Sequence, residues 1–308
     1  MTSSAASHGS GNTTGAGVLF GLGAFAWWGF VPIYFKAVSH VSPLEVLAHR
    51  GLWSLLLLGM FLWWRGGVST LFAPMRVKKR AFALAAATVL IATNWGIYIW
   101  AISHDRVIES SLGYFLNPLF NVLLAVVLLG ERLRRLQKLS VALAAVGVIW
   151  HLIALGELPV ISLGLAVSFS LYGIIHKKIG VAGSSALFVE VALLAPFAIL
   201  YLVYAKINGH LAFANVSRAT DLLLCLAGIV TALPLIWFIE ATRRLSYVSL
   251  GFLQYVSPSL QLLLGTMLYG EPFALHLVVT FVFIWAGLAV FSFDSLRVLR
   301  GGKQKLEA

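Results

Sequence analysis

The sequence predicts an all-α membrane protein with ten transmembrane helices in two inverted five-helix repeats. Of its 308 residues, 60% are apolar and only 11% are charged, whereas a soluble domain carries about 25% charged residues. Apolar runs of about 20 residues recur along the chain, and a helix of that length crosses a hydrocarbon core about 30 Å thick. One helix pattern also occurs twice, 140 positions apart. The runs do not alternate polar and apolar residues, which argues against β-barrel strands.

Ten apolar segments joined by short loops define the helices. They lie near residues 17–36, 44–64, 81–102, 108–129, 136–155, 159–177, 184–205, 221–241, 247–269 and 274–293. Short loops predict that consecutive helices are antiparallel neighbours. We expect a disordered tail at 1–16, which is rich in Ser, Thr and Gly, a first repeat at 17–155, a second repeat at 156–296 and a second tail at 297–308.

The basic residues are distributed unevenly between the loops. If the N-terminus is cytoplasmic, most of the 22 Lys and Arg residues fall in cytoplasmic loops or in the C-terminal tail. Arg50 lies within a helix, and the basic residues on the opposite side are Lys36, Arg106, Lys206 and Arg218. This bias predicts that both termini are cytoplasmic. Because the basic residues are dispersed between apolar segments, the net charge of +11 does not indicate a nucleic-acid partner.

The repeated pattern covers predicted helices 4 and 9. Pro118, Leu123, Leu124, Leu128, Gly130 and Glu131 match, without a gap, Pro258, Leu263, Leu264, Leu268, Gly270 and Glu271. A polar stripe repeats with them, in which Tyr114, Asn117 and Asn121 correspond to Gln254, Ser257 and Gln261. The spacing of +3 then +4 places each trio on one helix face. Five helix positions separate the copies, so they run in opposite directions, which is typical of transporters with a central site.

Polar side chains inside the predicted helices indicate a site, because a charge at the bilayer centre costs about 2.5–3.5 kcal/mol without a partner. We predict a substrate site that contains His49, Arg50, Asn94, Trp95, Tyr98, Tyr114, Asn117, Asn121, Glu190, Gln254, Tyr255, Ser257 and Gln261. The two stripes should face one cavity, beside backbone that prolines loosen. The alternatives are interfacial charges at helix ends for His49, Arg50 and Glu190, and helix–helix hydrogen bonds for the amides.

Several other polar groups are expected to be structural. Tyr172 and His176 should anchor a helix end at the inner membrane surface, next to two lysines. Glu240 should pair with the arginines that follow it. Glu131 and Glu271 should simply end their helices, because a solvated glutamate at a helix end costs little. No P-loop and no metal-ligand spacing is present, so we predict no catalytic residues, no metal and no cofactor.

Several motifs resemble the RarD group of the EamA family, within the drug/metabolite transporter superfamily. They are His49-Arg50, Asn94-Trp95-Gly96-Ile97-Tyr98, Leu112-Gly113-Tyr114-Phe115-Leu116-Asn117-Pro118, Gly130-Glu131-Arg132-Leu133, Leu250-Gly251-Phe252-Leu253-Gln254-Tyr255 and Gly270-Glu271-Pro272. The resemblance covers about residues 17–296. It implies a bacterial inner-membrane permease with two five-helix EamA repeats. The RarD group is named for chloramphenicol sensitivity. It implies neither a defined set of site residues nor a substrate.

The expected function is a secondary transporter, an exporter of a small amphipathic metabolite or drug, that works by alternating access. An aromatic and amide lining with few charges suits such a solute better than a polyanion. The expected partners are the solute and the lipid bilayer, with protons as a candidate coupling ion. The alternatives are an intramembrane enzyme that uses His49, Glu190 or His176, or a non-transporting sensor. Substrate, coupling ion, direction and oligomeric state are left open by the sequence.

Overall fold

The computed structural model describes residues 5–66, 72–103, 107–156, 160–268 and 275–307. Within these ranges every regular element is helical, as the sequence predicts. A short 3-10 helix covers Ala73–Arg76. The α-helices are α1 (Ala5–Ala37), α2 (Pro43–Gly66), α3 (Lys78–Ser103), α4 (Val107–Leu129), α5 (Arg135–Leu155), α6 (Val160–Ile179), α7 (Gly183–Ile207), α8 (Arg218–Arg244), α9 (Tyr247–Gln254), α10 (Val256–Met267) and α11 (Leu275–Glu307).

Eight of the described helices are long and apolar enough to cross a membrane, namely α1, α2, α3, α5, α6, α7, α8 and α11. The stretch Gly113–Leu129 of α4 is apolar as well. The structure extends α1 and α11 into the two predicted tails, from Ala5 and as far as Glu307. Large apolar side chains such as Trp64 and Phe82 remain exposed on the outside of the bundle. A lipid-facing surface has this character, because lipid tails do not penalise apolar exposure.

Predicted helix 9 occurs as two helices, α9 and α10, which meet at Tyr255. The cause lies three residues later. Pro258 has no N–H to donate to the carbonyl of Gln254, so the regular hydrogen-bond ladder is interrupted there. The amide of Tyr255 donates instead to the carbonyl of Phe252, over 3.2 Å. Helix α4 stays continuous although Pro118 lies at the matching position.

Long helices that follow one another along the chain run in opposite directions, so the bundle has two ends. We call them the Pro43 end, where α2 begins, and the Gly130 end, beside the last residue of α4. The packing of α1 on α8 shows the antiparallel arrangement. A Cβ added at Gly17 would lie 2.8 Å from the Cβ of Arg244, and one at Gly23 would lie 3.1 Å from the ring of Trp237.

The crossing of α4 and α9 is unusually close and brings the two polar stripes together. A Cβ added at Gly251 would lie 2.9 Å from the carbonyl oxygen of Pro118 and 3.2 Å from the Cβ of Asn121. A larger residue than glycine would therefore separate the two backbones. This contact fixes the position of Gln254, one turn further along the chain, against α4.

Candidate functional site

A cavity of about 120 Å³ lies at the centre of the bundle, between α1, α2, α3, α4, α6, α8, α9 and α10. Its walls are mostly aromatic and aliphatic, with four amides, four hydroxyl groups and one cation. The lining residues are Phe25, Trp28, Val31, Phe35, Arg50, Ile91, Asn94, Trp95, Tyr98, Gly113, Tyr114, Asn117, Leu165, Phe169, Val230, Thr231, Leu235, Gln254, Ser257, Pro258 and Gln261. Concave sites with a few convergent polar groups are the usual form of small-molecule sites.

Most of the side chains that the sequence selects reach this cavity. Those that line it are Arg50, Asn94, Trp95, Tyr98, Tyr114, Asn117, Gln254, Ser257 and Gln261. Those that lie outside it are His49, Asn121, Glu190 and Tyr255. Both stripes thus face the same cavity, with the exception of Asn121, the last residue of the first stripe. A role for any of these residues in binding a substrate stays a prediction.

Asn121 joins the two stripes from behind the cavity wall. It is fully buried, and its Nδ2 donates to Gln254 Oε1 over 2.6 Å. On the opposite wall Gln261 Nε2 donates to the carbonyl of Trp28 over 3.0 Å. The buried Oδ1 of Asn117 accepts no hydrogen bond from the part of the chain that the structure describes. It is therefore an acceptor available to a donor group or to water in the cavity.

Arg50 is the cation of the cavity. Its Nε donates to Thr231 Oγ1 over 2.8 Å. Its guanidinium carbon lies 5.4 Å from the ring centre of Phe35 and 5.2 Å from that of Trp95, within the range of cation–π attraction. In the described ranges no carboxylate pairs with Arg50, and a guanidinium has five N–H donors. The side chain therefore keeps donors, and a positive charge, for a group that enters the cavity.

Asn94 serves partly in helix packing. Its Nδ2 donates to the carbonyl of Leu165 over 2.9 Å and to Ser168 Oγ over 3.0 Å, so it ties α3 to α6. This is the interhelical hydrogen bond that we kept as the alternative for this amide. Because the donors are engaged within the protein, only the acceptor oxygen of Asn94 remains for a solute.

His49 points away from the cavity, into a cluster at the Pro43 end. Its Nδ1 accepts from Trp53 Nε1 over 3.1 Å, and its ring lies 4.7 Å from that of Phe213. The nearby carboxylate of Glu45 accepts from the backbone amides of Ala212 and Phe213, at 2.8–2.9 Å. Adjacent residues of a helix point about 100° apart, and on α2 this rotation places Arg50 in the cavity wall and His49 outside it. Sequence reasoning treated them as one unit and did not select Glu45.

An aromatic floor closes the cavity toward the Gly130 end. It consists of Phe25, Trp28, Phe169 and Phe238, whose ring centres are 4.9–6.2 Å apart in successive pairs. Such tilted and edge-to-face pairs are favourable aromatic geometries. Tyr172 lies directly beneath this floor, 6.0 Å from the ring of Phe169.

Glu190 lies below the aromatic floor, in contact with two side chains of α6. Tyr172 donates its hydroxyl to Glu190 Oε2 over 2.9 Å, and His176 Nε2 lies 2.9 Å from Glu190 Oε1. Tyr172 and His176 are 0% exposed and Glu190 is 1% exposed. Tyr172 and His176 are thus core residues, which corrects the expectation that they anchor a helix end at the surface. Their signal in the sequence was the +4 spacing, which puts both on one face of α6.

Glu131 has a different role from the helix stop that we expected. Its carboxylate accepts from the amide of Tyr247 over 2.7 Å and from that of Val248 over 3.1 Å, so it caps the first turn of α9. The matching Glu271 lies outside the described residues. Glu240, as expected, pairs with Arg243 and Arg244, and it also accepts from the amide that begins α7.

Tyr255, the junction of α9 and α10, is also a core residue. Its ring packs in a second buried cluster with Phe115 and Phe281, and its hydroxyl has no partner within the described ranges. The structure places it beside the cavity wall and not in the lining. In the described ranges no group of three or more His, Cys, Asp or Glu side chains could hold a metal ion.

Comparison with known proteins identifies the family. The sequence profile of the EamA-like transporter family matches residues 15–153. The chain is 42% identical over 285 residues to an uncharacterized transporter of Vibrio cholerae serotype O1, covering 91% of this chain and 93% of the relative. It is 42% identical over 291 residues to protein RarD of Salmonella typhi, covering 93% and 98%. A solved crystal structure at 21% identity has a TM-score of 0.68, covering 89% of this chain and 96% of that one, and supports the fold alone. The chain therefore belongs to the EamA-like transporter family and is a RarD-type, multi-pass transporter of the inner membrane.

Proposed function

We propose that the protein is a secondary transporter that exports a small amphipathic solute by alternating access. Two five-helix repeats, 17–155 and 156–296, would form ten spans, the ninth made of α9 and α10 together with their connection. Both termini and the Gly130 end would be cytoplasmic. The observation that carries the proposal is the central cavity, to which the matched stripes of α4 and of α9–α10 both contribute. A shared central site between inverted repeats suits a transporter and has no purpose in a one-sided enzyme.

The chemistry of the cavity defines the class of solute. Arg50 offers positive charge and free donors at one point, while Trp28, Phe35 and Phe169 offer apolar faces around it. The solute should therefore carry a carboxylate or another strong acceptor on a compact apolar or aromatic body. A volume of about 120 Å³ holds roughly ten water-sized positions at about 10–15 Å³ each. That is the scale of an amino acid or a small aromatic drug.

The packing also supports an assignment of the conformational state. The aromatic floor and the Glu131 cap both lie between the cavity and the Gly130 end, and we assign this arrangement to the form closed on the cytoplasmic side. Release of the solute would then require the opposite end to open. In the other state the floor would separate, and the cap between Glu131 and α9 would break.

The experiment tests binding first and transport second. Purified protein in nanodiscs is heated with chloramphenicol, with aromatic amino acids and with small aromatic carboxylates, because a bound ligand raises the unfolding temperature. Any stabilising compound is then assayed by counterflow in liposomes, which needs no ion gradient.

Arg50→Gln should remove the stabilisation by carboxylate ligands and lower counterflow at least tenfold. Arg218→Gln is the matched control, since Arg218 is an exposed arginine at the Pro43 end, and it should behave as the wild type. Stabilisation that survives Arg50→Gln would refute the assigned site. A protein that neither binds nor exchanges any member of the panel would refute the proposed substrate class.

A further inference from the structure

We propose that Tyr172, His176 and Glu190 form a proton-binding site that couples the movement of the solute to the movement of a proton. The proposal rests on the proposed transport function, but the site itself is separate from the cavity. A carboxyl and an imidazole meet at 2.9 Å, and a phenol donates to the other carboxyl oxygen, in a position with 0–1% exposure. Neither Glu190 nor His176 caps a helix or joins a surface network in the described part of the chain.

The charge balance of this group favours a proton-binding role. With one proton bound to either group, the imidazole–carboxyl pair is neutral overall, as an ion pair or as two neutral groups. Without that proton it carries one negative charge, which is costly at a buried position without a counter-ion. The step is a transfer of H⁺ between water and the pair, and it involves no change of oxidation state. A site that changes charge inside the membrane is expected to be used by the protein, since such groups are otherwise expensive.

The remaining charged and titratable groups on the helices around the pair lie at other levels of the bundle. Among the side chains that the structure describes, those in the Pro43-end cluster are Glu45 and His49 of α2, and those in the cavity are Arg50 of α2, Tyr98 of α3 and Tyr114 of α4. Those at the exposed Gly130 end are Arg76 of the 3-10 helix, Lys78, Lys79 and Arg80 of α3, and Lys178 of α6. Those toward the Pro43 end are Tyr201, Tyr204 and Lys206 of α7 and Arg218, Asp221 and Cys225 of α8.

Four groups lie nearer, at the Gly130 end, and each is engaged elsewhere. Lys177 Nζ donates to a backbone carbonyl at the end of α8 over 2.5 Å. Glu240 pairs with the two arginines that follow it, and Glu131 caps α9. The hydroxyl of Tyr247 donates to a carbonyl of α6 over 2.7 Å. Where α2 packs against α7, the contact is apolar. Within the described residues His176 is thus the only basic side chain paired with the Glu190 carboxyl.

The pair is linked to the cavity through one face of α6. Leu165, Phe169, Tyr172 and His176 follow each other at spacings of +4, +3 and +4, so they form a single line along the helix. The first two line the cavity, and the last two contact Glu190. Tyr172 also stacks on Phe238 of the aromatic floor, with ring centres 6.3 Å apart. Gain or loss of the proton changes the bond between Tyr172 and Glu190, and thereby the packing of the floor that closes the cavity.

The site is tested first without any solute. Infrared difference spectra of the purified full-length protein are recorded as the pH is changed, to detect the band of a protonated carboxylic acid. We expect this band in the wild type and in the control Glu240→Gln, which alters a carboxylate at the same end that belongs to a surface ion-pair network. We expect its loss in Glu190→Gln. Tyr172→Phe keeps the ring in place and removes only the hydroxyl, so it should shift the midpoint of the titration.

The coupling is tested in liposomes with chloramphenicol, or with a ligand found by thermal stabilisation, as the probe. Glu190→Gln should retain counterflow, but the accumulation of the probe driven by a pH gradient should fall at least tenfold. Glu240→Gln should retain both activities. A band that persists in Glu190→Gln, a midpoint unchanged in Tyr172→Phe, or gradient-driven accumulation in Glu190→Gln would each overturn the proposal. If the wild type showed no counterflow but kept the titrating band, the transport function would fail while the proton site stood.

Discussion

Removal of the Glu131 carboxylate is the sharpest test of how the two halves are held together. The residue follows α4, in the first half, but its oxygens accept from the amides of Tyr247 and Val248 in the second half, at 2.7 and 3.1 Å. Glu131→Ala leaves both amides without their acceptor. Loss of a capping side chain costs about 1 kcal/mol, within a range of about 0.5–2, and charge-assisted bonds reach about 1.5–3 kcal/mol. We therefore expect a loss of about 2–3 kcal/mol.

The assay is the free energy of unfolding in mixed detergent micelles, measured by denaturant titration. Glu131→Gln should lose about half as much, since its side chain keeps one acceptor oxygen but no charge. Arg132→Ala is the matched control, because Arg132 is the exposed neighbour, and surface changes are usually within about 0.5 kcal/mol. If Glu131→Ala were as mild as Arg132→Ala, the cap would contribute nothing, and our original expectation of a simple helix stop would be right.

Three further predictions follow from packing and topology. Gly251→Ala should lower the free energy of unfolding by about 1–3 kcal/mol, since its Cβ would lie 2.9 Å from a backbone oxygen of α4. Thermal unfolding measures this loss, and stability equal to that of the wild type would contradict the close crossing. Asn121→Ala leaves Gln254 Oε1 without its donor, so it should lower the free energy of unfolding by about 1–3 kcal/mol. Thermal unfolding measures this as well, and no loss of stability would mean that the 2.6 Å bond is absent in solution. Reporter fusions after Gly302 and within 103–107 should report opposite sides of the membrane, and a periplasmic C-terminus would reverse the assigned orientation.

The sequence was sufficient for the features that depend on local periodicity. Apolar runs predicted an all-helical membrane protein, and the +3, +4 stripes predicted which sides of α4 and of α9–α10 face inward. Both are properties of a single helix, so no knowledge of its neighbours is needed. Pro258 likewise marked the irregular backbone, because the loss of its N–H acts within one turn.

The features that depend on how distant segments meet were not accessible in this way. Glu131 is separated from its partners in α9 by more than a hundred residues, and nothing near it in the sequence shows that its acceptor oxygens are used. His49 and Arg50 were treated alike, although the rotation of α2 sends them to different places. His176 next to two lysines resembled a surface anchor until the packing of α7 covered it. Whether a polar group is buried depends on which distant segment packs over it, and the local sequence does not show this.

The break between α9 and α10 has a consequence for how the protein is made. An isolated helix needs about 20 apolar residues to enter a bilayer unaided. The 8 residues of α9 and the 12 of α10 each fall short of that length. These two segments supply the second polar stripe of the cavity, and the break at Tyr255 leaves each of them too short to partition into lipid alone. We therefore expect α9 and α10 to enter the bilayer against longer helices that are already inserted, so that their side of the cavity is completed late in biogenesis.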